Sequence, residues 1–221
     1  MEIPVENTAD AYLELLASRG VKYFFANAGT DFAPLVEGFT KRKAENITFP
    51  IPVLCPHEAT AVSMAHGYYM VTGEPQVVMV HVNVGTANAA AQVMNATKAR
   101  IPLLFTAGRT PINEEGPLGH RSVYIHWAQE SRDQAAMLRE YVKWDYELRN
   151  SAQLETVVDR ALTLSMADPP GPVYLILPRE FLQIHLILNI LHELFLLKYP
   201  MDIPQFQWLS LLRQEEKMKT L

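Results

Sequence analysis

The chain has a single cysteine, Cys55, among its 221 residues. No disulfide framework can form within it, which excludes a small stapled extracellular module. No cluster of lysine or arginine stands out in it, and its formal net charge is −5. That argues against nucleic acid or an anionic membrane surface as the main partner. A Gly-x-x-x-x-Gly-Lys phosphate loop is missing, and so is Gly-x-Gly-x-x-Gly. His57, His66, His120 and His126 show no metal-ligand spacing, so no metal site is expected. There is no internal repeat and no low-complexity linker. The opening stretch, MEIPVENTADAYLELL, carries acids where a secretory leader would carry basic residues, so the expected compartment is the cytosol.

What the chain does have is apolar content, 49% of its residues, enough for one domain with a full core or a domain plus an appendage. Strand-like and helix-like segments alternate. NTADAYLELLASRG reads as a capped helix closed by Gly20, and VKYFFA as a strand. NAGT is a turn before a helix, DFAPLVEGFTKR, capped by Thr30 or Asp31. IPVLC is the next strand, and Glu58 to Thr72 a helix ended by Gly73. QVVMVHV shows no polar alternation before His81, the mark of a strand buried on both faces. NVGT then turns into a helix from Ala87 to about Lys98, followed by the strand IPLLFTAG. A long polar stretch leads to a short helix near Asp133 to Leu138, a strand VKWDYEL, a helix SAQLETVVDRALTLSMA and a last strand GPVYLIL. Five or six strands with intervening helices predict an α/β fold, doubly wound around a mainly parallel sheet with helices on both faces.

In such sheets ligands bind beyond the carboxyl ends of the strands. Three junctions of that kind stand out: ANAGTD, CPHE and HVNVGTAN. Gly29 and Gly85 allow tight turns and close backbone approach there. Each polar residue also has an ordinary structural reading. Glu58 can stabilise a helix dipole, Thr30 can be a plain cap, Asn88 can bond a neighbouring turn, and His81 can be a half-buried histidine with a partner. Cys55 beside Pro56 reads as a small buried residue.

Taken together, the segments resemble the N-terminal, pyrimidine-binding domain of thiamine-diphosphate-dependent enzymes, in the benzoylformate decarboxylase and acetolactate synthase group. The resemblance is carried by Glu58, Ala65-His66-Gly67-Tyr68, Gly85-Thr86-Ala87-Asn88 and Pro102 to Gly108, in that order. FFANAGTD, WAQES with YVKWDYEL, and PPGPVYLILPRE extend it over about Val5 to Glu180. It implies a cofactor, thiamine diphosphate, held here at its pyrimidine end only. It implies that Glu58 hydrogen-bonds a ring nitrogen of the aminopyrimidine and favours the tautomer that deprotonates the thiazolium carbon. That role requires a carboxyl able to share a proton with a weak base near neutral pH. His81 matches an active-site histidine that shuttles protons for a 2-oxo acid substrate. Thr30 would bond the substrate carboxylate, and Asn27, Gly29, Gly85, Asn88 and Gln129 would line the cofactor.

Departures from the family pattern are Ala28 in place of a proline and Asn83-Val84-Gly85 in place of Gly-Pro-Gly. The Gly-Asp-Gly…Asn motif of the diphosphate-binding domain is missing from these residues, so Mg²⁺ would be held by a missing or partner domain. Three functional readings follow: part of a longer 2-oxo acid decarboxylase or carboligase, one subunit of a natural two-chain enzyme, or a non-catalytic truncated isoform acting in assembly. The expected partners are a second copy of the chain or a chain carrying the diphosphate domain. Residues 1–180 form the expected domain. Residues 181–221 form an atypical apolar tail, in which His185, Asn189, His192 and Glu193 share one helical face. That tail is read as a packing helix, an aberrant terminus or a membrane-surface anchor, and it is too short and too interrupted to span a bilayer.

Overall fold

The computed structural model describes residues 5–116 and 118–184. The expected tail therefore lies, from His185 onward, outside the described residues. Helix α1 spans Thr8–Ser18 and is capped by Asn7, whose side chain accepts from the Asp10 amide. Strand β1 (Tyr23–Asn27) leads through a short 3-10 turn, Thr30–Phe32, into α2 (Ala33–Ala44). Strand β2 (Ile51–Leu54) precedes α3 (Glu58–Thr72), which ends on Gly73 in the left-handed region at φ +72°. Strand β3 (Val77–Val80) passes into α4 (Val82–Lys98), and β4 spans Leu104–Arg109. A short α5 (Ile125–Ala128), β5 (Asp145–Glu147), α6 (Leu154–Met166), β6 (Val173–Pro178) and a short α7 (Arg179–Leu182) complete the chain order.

All six strands pair in parallel, in the order β2-β1-β3-β4-β6-β5. The doubly wound α/β expectation holds. Because side chains alternate across a strand, successive apolar residues feed two separate layers. Phe24, Val77, Met79 and Leu104 face a core shared with Tyr12, Leu13 and Leu16 of α1 and Val157 and Val158 of α6. Phe25, Val78, Val80 and Phe105 face the other core, with Val62 of α3 and Ala89 and Val93 of α4. This double burial is why β3 shows no polar alternation. The fold runs on past Glu180: Leu182 is buried, and the Thr8 amide donates to the Ile184 carbonyl at 3.0 Å.

Three local expectations need correcting. Neither Thr30 nor Asp31 caps α2, whose N-cap is Phe32 with no side-chain capping bond. Helix α4 starts at Val82 rather than Ala87, so Asn83 to Gly85 lie in its first turn and not in a loop. The segment near Asp133 to Leu138 contains only a 3-10 turn, Ala135–Met137, and the polar stretch before it holds α5.

Helices α1 and α2 are tied by a buried ion pair. Arg42, fully buried, donates to Asp10 Oδ1 at 2.7 Å, to Glu14 Oε2 at 2.7 Å and to the Asp10 carbonyl at 3.0 Å. Asp10 is 2% exposed. Removing one partner of such a pair strands the other charge in an apolar setting. Arg42→Ala should therefore lower unfolding stability by about 3 kcal/mol, near the low end for broken buried pairs because Lys41 still reaches Asp10 Oδ2 at 3.2 Å. Urea denaturation of the two proteins measures it; a loss below about 1 kcal/mol would mean the pair contributes little.

Candidate functional site

Parallel pairing brings the carboxyl ends of the strands to one edge, and the register decides which residues meet there. Asn27 at the end of β1 pairs with Val80 at the end of β3, and Val80 pairs with Ala107 of β4. Residues 28–31 and 81–82, just beyond these ends, and Gly108, one residue past Ala107 within β4, are thereby forced together. The Asn27 side chain donates to the Cys55 carbonyl at 2.9 Å and ties the ends of β1 and β2. Cys55 is 1% exposed, and burial pushes its thiol pKa up, as expected of a small packed residue.

Glu58 is the first residue of α3, but it does not cap the helix. His57 does so, its Nδ1 accepting from the Ala59 amide at 3.1 Å. Glu58 is free of that duty and is 7% exposed. Its Oε2 accepts from Asn88 Nδ2 of α4 at 3.2 Å. Its other oxygen accepts no hydrogen bond among the described residues. Asn88 thus bonds Glu58 across the α3–α4 pair rather than a neighbouring turn.

His81 sits between β3 and α4, half-buried. Its Nδ1 lies 2.6 Å from Asp31 Oδ1. The other Asp31 oxygen accepts from the Val82 amide at 3.3 Å. Asp31 is 2% exposed. The Asp31 hydrogen bond raises the His81 pKa above its usual value; burial opposes it, and the charges of Asp31 and, more weakly, Glu58 add to it. Two glycines make room for the pair. A Cβ on Gly29 would overlap the His81 ring, and one on Gly108 would overlap the Asp31 carboxylate. Gly29 gives the close approach expected of it; Gly85 gives one too, but inside a helix, where its Cβ would come 2.9 Å from Val80 Cβ.

The far side of His81 is set by the loop after β4. Arg109 donates to Glu147, to Glu130 Oε1 at 2.9 Å and to the Ser131 carbonyl at 3.3 Å. Asn83 Nδ2 donates to Ser131 Oγ at 2.9 Å. Glu180, at the head of α7, accepts from the amides of Ile112 (2.8 Å) and Asn113 (3.3 Å). These bonds hold the loop over the sheet edge and place Gln129 Nε2 at 3.3 Å from His81 Nε2.

The structure thus joins Glu58 to Asn88, and His81 to Gln129, with Glu58 near enough to influence His81. Thr30 is exposed at the start of the 3-10 turn and lines a cavity of about 10 Å³, room for about one water, with Asp31, Arg109 and Gln129. Sequence reasoning weighed Asp31 only as a helix cap and did not single out Arg109, Glu130 or Glu180. The one signal available was an acid four residues beyond a strand end; its partner is 50 residues away in the chain. A larger cavity of about 630 Å³, lined by Arg19, Glu74 and Asp159, lies at the opposite, amino end of the strands and touches none of these residues. Among the described residues no group of three or more His, Cys, Asp or Glu could hold a metal ion, and no helix is long and apolar enough to cross a membrane.

The family model described as "Thiamine pyrophosphate enzyme, N-terminal TPP binding domain" matches residues 6–137. The chain is 28% identical over 173 residues to benzoylformate decarboxylase of Pseudomonas aeruginosa, covering 77% of this chain and 29% of that protein. It is 29% identical over 168 residues to the acetolactate synthase large subunit of Lactococcus lactis, covering 76% and 27%. Among solved structures it superposes on the thiamine diphosphate-dependent 4-hydroxybenzoylformate decarboxylase of Rhodococcus jostii RHA1 with a TM-score of 0.67 and 26% identity, covering 80% of this chain and 31% of that one. The chain spans under a third of the length of these relatives.

The glycine geometry yields a paired test. Gly29→Ala should displace the His81 ring from Asp31 and cost about 1–3 kcal/mol, as overpacking does. Gly67→Ala, in the interior of α3 with open space at its Cβ, should instead stabilise by up to about 1 kcal/mol. Thermal melts of both variants check the pair; equal effects would show that the crowding at Gly29 is not specific to His81.

Proposed function

We propose, from the premise that the chain belongs to the thiamine pyrophosphate enzyme family as its N-terminal TPP-binding domain, that it supplies the pyrimidine-binding part of a 2-oxo acid decarboxylase or carboligase. The observation that carries this reading is Glu58. It is a buried carboxylate at the carboxyl edge of a parallel sheet, relieved of capping by His57, oriented by Asn88, and left with one oxygen unengaged. That donor set fits a weakly basic ring nitrogen: one oxygen is fixed by an amide, and the other is available to hold a proton shared with the ring.

Bound thiamine diphosphate would supply an electron sink for the carbon of a 2-oxo acid that loses its carboxylate. The chain's residues would do the rest. Asn88 holds the Glu58 carboxylate in orientation. Glu58 holds or releases the proton at the pyrimidine side. His81, through Nε2, moves a proton to and from the substrate oxygen or carbon. Thr30 offers a hydroxyl at the same edge for the substrate carboxylate, and Gln129 orients His81. Asn27 contributes indirectly, by tying β1 to β2 under the site. The diphosphate and Mg²⁺ would be held by a domain that these residues do not include.

The partner proposed for that role is a second polypeptide, or a second copy of a longer one, docked on α3 and α4. Those helices flank Glu58 and Asn88 and expose Met64, Val71, Val84 and Met94. The single buried cysteine accords with a reducing compartment, and the cytosol is the proposed location.

Titration of thiamine diphosphate into the isotopically labelled chain, followed by NMR, should give weak binding with shifts concentrated at Glu58, His81, Asn88 and Gln129. Shifts confined to the cavity around Arg19 and Asp159 would sink the reading. Once a diphosphate-binding partner restores turnover, Glu58→Gln should lower the rate by about 10²–10⁴-fold with the melting temperature nearly unchanged, the mark of a lost proton-transfer group rather than a lost structural contact.

A further inference from the structure

We propose that Asp31 is the positioning residue of His81: it accepts the Nδ1 proton, fixes the ring in one tautomer and leaves Nε2 as the position that takes up and releases protons. This deepens the reading of His81 given above and rests on it.

Four features of the structure carry the inference. The first is direction. An ionised carboxylate only accepts, so at 2.6 Å the proton between Asp31 Oδ1 and His81 is carried on Nδ1. On the opposite ring nitrogen, the Gln129 amide nitrogen at 3.3 Å can only donate, so Nε2 must offer a lone pair there. Both neighbours select the same tautomer. The second is rigidity. Asp31 is held by the Val82 amide through Oδ2, and its carboxylate lies against Gly108, where no side chain would fit. Gly108 is itself fixed, since its carbonyl accepts from Gln134 Nε2 at 2.9 Å, and the same nitrogen reaches the Tyr174 hydroxyl at 2.9 Å.

The third is strain. Val82 has φ +36°, a left-handed conformation that a β-branched residue rarely adopts. Strain of this kind persists only where surrounding contacts impose it, and it clusters at functional positions. At Val82 the amide donates to Asp31 Oδ2 at 3.3 Å, at the point where the backbone passes from strand to helix, one residue after His81. The fourth is charge. The ionisable groups around His81 are Asp31, from the turn after β1, and Glu58, from the head of α3; Arg109, His126 and Arg179 line the small cavity beside Asp31. The carboxylates stabilise the imidazolium formed when Nε2 accepts a proton. In that step the donor's bond to hydrogen breaks as the Nε2–H bond forms; the return step reverses it, and the hydrogen on Nδ1 stays in place in both.

A linkage sign follows. Because the folded-state pKa of His81 is raised, the stabilisation from the Asp31–His81 pair is fully present below about pH 6.5, the unfolded value, and is lost as pH rises through the raised folded value. Loss of the carboxylate removes that dependence.

The test uses the full chain without cofactor, so its outcome is separate from whether thiamine diphosphate binds; the titration described above decides that. Ring ¹⁵N shifts of the histidines are followed from pH 5 to 9 in the parent and in Asp31→Asn. In the parent, His81 should titrate above about 6.5 and should carry its proton on Nδ1 once neutral. In Asp31→Asn the His81 midpoint should fall by about one unit or more, as expected on losing an adjacent opposite charge. An unchanged amide chemical-shift dispersion and thermal melt in Asp31→Asn show that the fold is intact. An Nε2–H tautomer in the parent overturns the proposal, and this observation needs no variant. An unmoved His81 midpoint in folded Asp31→Asn overturns it as well.

Discussion

The arrangement of this site depends on one constraint, the parallel pairing of β1, β3 and β4. In a parallel ladder every strand ends at the same edge, and a one-residue slip would send each side chain to the wrong face. The register Asn27 to Val80 to Ala107 makes residues 28–31, 81–82 and 108 neighbours, although they are far apart in the chain. From that follow the Asp31–His81 contact, the need for glycine at 29 and 108, and the position of Glu58, which the adjacent strand β2 delivers to the same edge.

Close packing at this edge leaves little freedom for the polar groups. Asn27 is committed to a backbone carbonyl, Asn88 to Glu58, and Asp31 to both His81 and the Val82 amide. Among the described residues one oxygen of Glu58 accepts no hydrogen bond, while the outward nitrogen of His81 meets the Gln129 amide at 3.3 Å. In the proposed function these are the two atoms that would take up and release protons. The rest of this edge is open, with exposed residues on α3 and α4 beside it. That openness suits a domain which, in the proposed function, needs a second one to complete it.

Much of this was legible in the sequence. The bounds of α3 matched because a polar head and a closing glycine are local signals. Double burial of β3 showed as an uninterrupted apolar run. The start of α4 did not show, because Asn83-Val84-Gly85 has the composition of a turn, while a left-handed Val82 is a conformation that no propensity would assign. There the Val82 amide donates to a carboxylate from the turn after β1, 51 residues earlier in the chain. The family likeness pointed to Glu58 and His81 but gave Asp31 no role.

The sequence by itself determined the fold class and the positions of most elements, since these follow from periodicity and turn chemistry within short windows; Glu58 and His81 stood out as candidate site residues only through the family resemblance. Only the tertiary structure decided which of those side chains meet. The order β2-β1-β3-β4-β6-β5 differs from chain order, and no local pattern states that β1 lies between β2 and β3. Strand order is set by how the two apolar layers pack as a whole, and with it came the placement of Asp31 on the inner nitrogen of His81 and of Gln129 on the outer one.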